Sequence, residues 1–203
     1  MTLLSKLLSW FTPFILLCTS AAFLWTCNSP NIFSILAIPF CLYGLPVLCH
    51  RIHNYFYPLK EGISYLISDD YSPWWGSHQF QEIYIACPFL EAILRLIPGA
   101  FSAWLRLWGA KVGNNVYWTP KLEIADRGFV EIGDRTIFGY DVQLYPHIVK
   151  PKKNNLMLYL KTIKIGSDVF LGAGSHCGPG VIIQEGTYIP VATDLYPNQK
   201  SND

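Results

Sequence analysis

The chain has 203 residues, a net charge of +1 and only 14% charged side chains, so it has room for one ordinary domain plus an appendage and no global electrostatic case for nucleic acid. Apolar residues make up 51% and the mean hydropathy is +0.26, a balance that points to contact with lipid. The six cysteines, at positions 18, 27, 41, 49, 87 and 177, show no metal-ligand spacing and read as free, buried thiols of a reducing compartment.

Residues 7–26, LLSWFTPFILLCTSAAFLWT, run twenty positions without a charge, the length that crosses a bilayer core as a helix. Residues 32–49, IFSILAIPFCLYGLPVLC, give a second uncharged run of eighteen. Pro13, Pro39 and Pro46 are compatible with membrane helices, where neighbours satisfy the freed carbonyls again. Lys6 followed by an apolar run and Ser20-Ala21-Ala22 also fits a cleaved secretory leader, but a second span so close behind favours a transmembrane hairpin over residues 1–54. The turn at 27–31 has no Lys or Arg, whereas Lys6, Arg51 and Lys60 flank the pair, which predicts a multi-pass protein of the cell (inner) membrane with both ends cytoplasmic.

Residues 55–110 read as an amphipathic, interfacial helical linker. Phe89, Ile93, Leu96 and Ile97 fall at helical spacing, and after Pro98-Gly99 so do Phe101, Trp104, Leu105 and Trp108. Five of the seven tryptophans (25, 74, 75, 104 and 108) lie here or at the end of the first span, where Trp suits a membrane-water boundary. The alternative is that these helices cap a soluble core.

From residue 112 a period of six sets in. VGNNVY, WTPKLE and IADRGF precede Val130-Glu131; IGDRTI, FGYDVQ and LYPHIV follow; after an interruption at 150–164 come IGSDVF, LGAGSH, CGPGVI, IQEGTY and IPVATD. The first place is apolar in all eleven lines, the second is glycine in six, and the fifth is mostly β-branched or small. Neither a helix nor a lone alternating strand repeats at six, whereas a stacked solenoid of short strands does, with the first side chain inward and glycine where the backbone turns a crowded corner. The predicted solenoid spans 111–195, with residues 196–203 as a short polar tail.

Lines of the form [LIV]-G-x-x-[VTSA]-x, entered through LRLWGAKVGNNVYW, resemble the hexapeptide-repeat acyltransferases over residues 104–194, in particular the sugar O-acetyltransferase-like branch. The resemblance implies a mainly β chain folded as a left-handed parallel β-helix, a homotrimer with active sites between subunits, and thioester-dependent acyl transfer. The co-substrate would be acyl-CoA or acyl carrier protein, with no permanently bound cofactor.

Such transfer needs a base, and histidine titrates nearest working pH. His50, His53 and His78 lie outside the repeat and read as interfacial or capping residues. His147 stands at the fourth place of LYPHIV, just ahead of the interruption, and the resemblance places the catalytic histidine there. His176, at the outward end of LGAGSH, is the second candidate. Asp126 and Asp141 are at hand to orient the imidazole. Backbone N–H groups from Gly172 to Gly174 are the candidate oxyanion donors, so Gly172 and Gly174 are expected in the thioester site. In the interruption, KPKKNNLMLYLKTIK, the amines of Lys150, Lys152 and Lys153 are expected to meet donor phosphates or anionic headgroups. No metal is expected, because a metal-dependent solenoid needs three converging histidines and the repeat holds two. The last lines lose glycine at the second place and no long C-terminal helix follows LYPNQKSND, which leaves the choice of thioester open.

Attaching such a fold to the bilayer suits a membrane-associated acceptor, a lipid, glycolipid or lipid-linked sugar, that receives the acyl group on a hydroxyl or amine. The rival reading is a non-catalytic trimeric scaffold that organises membrane partners.

Overall fold

The computed structural model describes residues 2–201, which divide into two compact units. The first comprises residues up to 59 together with 67–83. In it, α1 (Leu3–Leu8) and α2 (Phe11–Asn28) are followed by α3 (Ile32–Pro39), a π-helical turn (Phe40–Gly44) and α4 (Leu45–Phe56). Leu3–Asn28 and Ile32–Phe56 are each long and apolar enough to cross a membrane, with mean hydropathies of 1.8 and 2.2. The polar side chains of the first run do not break it, since Thr19, Ser20, Thr26 and Asn28 bond the carbonyls four residues back. Asn31 starts the second with a capping box closed by Ser34. The π-turn directly follows Pro39, whose missing N–H loosens the ladder at that point. Leu17, Phe23, Leu24, Phe33 and Leu36 stay exposed, so the apolar surface of both runs is largely uncovered by protein.

The second unit comprises residues 60–66 and 84 onward. The linker of the sequence reading is not wholly helical. Residues Gly62–Tyr65 form a strand, β1, ahead of α5 (Pro73–Ala86), α6 (Phe89–Leu96) and α7 (Ala100–Trp108). The two amphipathic helices also differ in what they bury. On α7 the expected stripe is core: Phe101, Trp104, Leu105 and Trp108 are at most 5% exposed, so Trp104 and Trp108 are not interfacial. On α6 the stripe faces outward, with Phe89 61%, Ile93 46% and Leu96 77% exposed, and Ile97 just beyond at 55%. Its two charged residues turn inward instead. Glu91 lies 2.8 Å from Arg95 and 2.6 Å from Arg127, all three side chains at most 4% exposed. Arg95 also donates to the carbonyls of Pro120 (2.7 Å) and Leu122 (2.9 Å). An irregular stretch of backbone with carbonyls to satisfy thus rotates the charged face of α6 toward the protein and its apolar face away.

The remaining strands are β2 (Lys111–Val112), β3 (Glu123–Ile124), β4 (Val130–Ile132), β5 (Ile137–Phe138), β6 (Gln143–Leu144), β7 (His147–Lys152), β8 (Asn155–Leu160) and β9 (Ile163–Ile165). They continue with β10 (Phe170–Leu171), β11 (His176–Cys177), β12 (Ile182–Ile183), β13 (Tyr188–Ile189), β14 (Asp194–Leu195) and β15 (Lys200–Ser201). Three parallel sheets result, ordered β15-β12-β9-β4-β2, β13-β10-β5 and β14-β11-β6-β3. Leaving aside the β7–β8 hairpin, the chain visits the three sheets in rotation. Leu171 therefore pairs with Ile189, eighteen residues or three lines of six later. The first-place residues Ile124, Phe138, Leu144, Leu171 and Cys177 are fully buried between the sheets.

The second-place glycines answer to close approach rather than to a special φ. A Cβ on Gly133 would lie 2.4 Å from the Ser167 nitrogen, and one on Gly172 2.4 Å from that of Val191, on the next layer. The left-handed turn sits at the fourth place, where φ runs from 53° to 74° at Asn115, Arg135, Asp141, Asp168, Gly174, Gly180, Gly186, Ala192 and Asn198. The last of these shows that LYPNQK is a twelfth line, with Leu195 buried and β15 paired to β12. Residues 196–201 are therefore part of the stack and not a polar tail. Lys121, Arg127 and His147 are the fourth-place residues without the positive φ.

Outward-facing residues give each sheet its own chemistry. The first carries Lys111, Glu131 and Lys164, with ion pairs of 3.0 and 3.6 Å. The second carries Tyr117, Ile137, Phe170 and Tyr188, the last two stacked at 5.1 Å. The third carries Glu123, Gln143, His176 and Asp194 in register.

Candidate active site

The regular path gains two residues ahead of β4, so that Lys111 pairs with Glu131 twenty residues on, and is interrupted at length after β6, where the interruption starts earlier than the sequence suggests. Across it, paired residues such as Leu144 and Cys177 are 33 rather than 18 residues apart. The hairpin begins at His147 itself and returns at Leu160, and Ile163, fully buried, is already back in the stack. Ile148, at what would be the inward fifth place, is exposed because its strand has left the coil. The hairpin is clamped from its far side by β1, Gly62 pairing with Leu160 and Tyr65 with Met157. Glu61 then accepts bonds from both the N–H (3.1 Å) and the hydroxyl of Thr162. That hydroxyl bond holds the Glu61 carboxyl below the ordinary carboxylate range.

His147 opens this hairpin, its side chain 18% exposed, with Nδ1 hydrogen-bonded to Oδ2 of Asp126. Asp126 is 3% exposed and lies on the irregular stretch between β3 and β4, the third place of its line. Of the two aspartates considered as orienters, Asp126 is therefore the partner; Asp141 pairs with Lys121 at 3.0 Å, which holds its carboxyl below the usual range. A carboxylate against Nδ1 favours the tautomer with the proton there and places the basic lone pair on Nε2.

His176 is also paired, Nδ1 to Asp194 at 2.7 Å, but the side chains are 45% and 59% exposed. It stacks on Gln143 in the third sheet. Gln143 in turn accepts from the Tyr145 hydroxyl at 2.5 Å. Burial, aided by the Glu123 carboxylate, pushes that phenol up to about 12, so it stays a proton donor. Nothing in the sequence pattern singled out Gln143 or Tyr145.

The expected oxyanion donors are corrected. The N–H of Gly172 bonds the Ile189 carbonyl at 2.8 Å and that of Gly174 bonds the Tyr140 carbonyl at 2.8 Å, so both donors are committed to holding layers together. The lysines are strung along the hairpin. Lys150 is paired with Met157 along the hairpin, Lys152 donates to the Tyr65 hydroxyl at 3.1 Å, and Lys153 forms the tip with φ of 53°. The tip lies five to six residues beyond His147, on the order of 15–20 Å along an extended strand. Of the other histidines, His53 bonds the Tyr71 hydroxyl at 2.6 Å and His50 the Ser77 hydroxyl at 3.3 Å, both within the first unit. Among the described residues, no group of three or more His, Cys, Asp or Glu is placed to hold a metal ion.

A cavity of about 390 Å3 adjoins the irregular stretch. Its lining combines the apolar Ile85, Pro88, Phe89 and Ala92 with the polar Lys121, Glu123, Asp141 and Gln143, and takes in the Glu91, Arg95 and Arg127 cluster.

No family model matches the chain. Among curated proteins it is 28% identical, over 118 aligned positions, to the putative colanic acid biosynthesis acetyltransferase WcaF of Escherichia coli K12, and equally to that of Shigella flexneri. These alignments take in 48% of this chain and 65% of the relatives, so the chain spans a little under two thirds of the length of the curated proteins it matches. Among solved structures, the hexapeptide-repeat acetyltransferase VCA0836 of Vibrio cholerae is 16% identical, with a TM-score of 0.39 over 57% of this chain and 85% of that one. A galactoside acetyltransferase in complex with coenzyme A is 18% identical, with a TM-score of 0.36 over 55% of this chain and 74% of that one. In sequence, then, about half of this chain is similar to curated acetyltransferases.

Proposed function

We propose that the protein is a membrane-anchored acyltransferase that moves an acetyl or longer acyl group from acyl-CoA or acyl carrier protein to a hydroxyl or amine of a membrane-associated acceptor. The three rotating sheets are read as a left-handed β-helix of the hexapeptide-repeat kind, and the two apolar helical runs as a hairpin in the cell membrane with the sheets on its cytoplasmic side. The apolar outward row of the second sheet, Tyr117, Ile137, Phe170 and Tyr188, supports assembly as a homotrimer. The similarity to the WcaF acetyltransferases supports the reaction class.

The observation that carries the reading is the buried Asp126 carboxylate on Nδ1 of His147, at the root of the hairpin. In this mechanism Nε2 of His147 removes the proton from the acceptor hydroxyl as its oxygen attacks the thioester carbonyl carbon. The tetrahedral intermediate then collapses, the C–S bond breaks, and the imidazolium returns the proton to the departing thiolate. Asp126 stabilises the imidazolium between the two transfers and fixes the ring plane. No acyl-enzyme is required, because donor and acceptor react directly.

The test is thioester consumption by the purified full-length protein with acetyl-CoA and an alkyl glucoside as acceptor. Turnover with the native chain and its loss in His147→Ala support the assignment; full turnover in His147→Ala removes His147 as the base. A chain that neither turns over nor is thermally stabilised by acetyl-CoA is a scaffold.

A further inference from the structure

We infer that the cavity between α6 and the stretch 118–129 around β3 is the acceptor site, and that it takes the neutral, hydroxyl-rich headgroup of a membrane amphiphile whose apolar tail leaves along the outer face of α6. The inference rests on the acyltransferase reading above and adds where the acceptor binds and what it is.

The first observation is the division of the cavity into two chemistries. Ile85, Pro88, Phe89 and Ala92 give it an apolar lining; Lys121, Glu123, Asp141 and Gln143 give it four side chains with hydrogen-bonding ends, and the mutually paired Glu91, Arg95 and Arg127 line it as well. At about 390 Å3 it lies toward the low end of the range of roughly 300–1,000 Å3 for small-molecule sites, room for a headgroup and not for a whole lipid. The polar lining favours hydroxyls over phosphates. Lys121 is already paired with Asp141 at 3.0 Å, the lining Arg95 and Arg127 are both paired with Glu91 at 2.8 and 2.6 Å, and Glu123 adds a further carboxylate, so an anion would meet three acids and three cations that are already compensated. Alternating acceptors and donors on Asp141, Gln143, Glu123 and Lys121 suit the O–H groups of a sugar ring.

The second observation is the inversion of α6. Phe89 belongs both to the cavity wall and to the exposed stripe that runs through Ile93 and Leu96 to Ile97. Both charged residues of the helix are folded under it, so no ionised group interrupts the stripe. A soluble surface helix carries its charges outward. A helix that buries Glu91 and Arg95 while exposing Phe89, Ile93 and Leu96 is built to lie against hydrocarbon, and the same chain carries two runs of lipid-crossing length.

The third observation ties the cavity to the proposed base. Arg127 lines the cavity and Asp126, its neighbour in the chain, holds His147. Gln143 lines it too and is stacked in register under His176. A headgroup seated on the polar lining lies beside the segment that orients the imidazole.

The test uses the full-length protein in nanodiscs that contain equal amounts of a glucosyl diacylglycerol and phosphatidylglycerol, with p-benzoylphenylalanine in place of Phe89. Illumination followed by mass analysis identifies what is captured, without any thioester present. The glucosyl lipid is expected to be captured at least fivefold over phosphatidylglycerol. Ala92→Trp, which fills the cavity, should lower that capture about tenfold, and Lys121→Gln, a change at an exposed side chain that leaves folding intact, about threefold. Equal capture of both lipids, insensitive to either substitution, would mean a face merely immersed in lipid and would overturn the site. Capture of a second copy of the chain would make the face an interface and overturn it equally. Because no acyl transfer is read, a negative thioester assay condemns the enzymatic reading alone, and indifferent capture condemns the acceptor site alone.

Discussion

Two histidine–carboxylate pairs stand in the second unit, and they share chemistry but not setting. His147 and Asp126 meet where the coil is irregular on both sides, with side chains 18% and 3% exposed, at the root of a hairpin. His176 and Asp194 meet on a regular layer of the third sheet, 45% and 59% exposed, as one rung of a polar row. A carboxylate in water shares its influence with the solvent, whereas a buried one fixes a tautomer and a ring orientation. The difference in setting thus comes from where the first pair leaves the repeat.

The comparison can be broken most directly at the base. His147→Ala should reduce kcat for acetyl transfer by about 10² to 10⁴-fold, the usual contribution of a positioned general base, measured as thiol release. Next is the orienter: Asp126→Asn should cost about 10- to 100-fold in kcat with little change in the KM for acetyl-CoA. Circular dichroism of the same sample separates this from misfolding, since Asp126 is buried. A smaller effect is expected from Glu61→Gln, which weakens the tie between the strand ahead of α5 and Thr162; a few-fold loss of kcat should accompany faster proteolysis at the hairpin.

That tie carries a pH signature whose sign follows from its lowered carboxyl pKa. A depressed carboxyl stabilises the clamp above the unfolded value of 4.5, and the contribution is lost as pH falls through the lower folded value. Hairpin proteolysis should therefore rise below about pH 4.5 in the native chain and show no such step in Glu61→Gln. The smallest effect belongs to the other pair: His176→Ala should change kcat by less than about fivefold, the factor corresponding to roughly 1 kcal/mol for an exposed pair. A loss at His176 as large as that at His147 would reverse the comparison.

The repeat was legible because each line carries its own instructions: an inward apolar residue, a glycine where the next layer passes within contact, and a turn. LYPNQK is harder to read because its fifth place holds Gln199, neither β-branched nor small, and its second place holds Tyr196. The insertion was readable in length but not in position, since nothing in LYPHIV announces that Ile148 leaves the core. The strand GISY was invisible because its partner lies nearly a hundred residues away and contributes nothing to its local pattern. Periodicity in α6 revealed a stripe but not which way it faces. That was decided by carbonyls at Pro120 and Leu122, which only the folded chain brings to Arg95. His147 and Asp126 were both on the list of candidates, and their pairing needed the coil to bring residues 21 apart together.

The strand at Gly62–Tyr65 also governs how this protein can be shortened. A chain begun at Tyr84, which sheds the long apolar helices to gain solubility, would lose it and strip one partner from Asn155–Leu160. The hydrogen-bonding groups left bare along that margin would recruit any extended peptide at hand, including the same segment of another molecule. Trimming for convenience would therefore yield an aggregating chain, unless residues 60–66 were supplied again as a peptide.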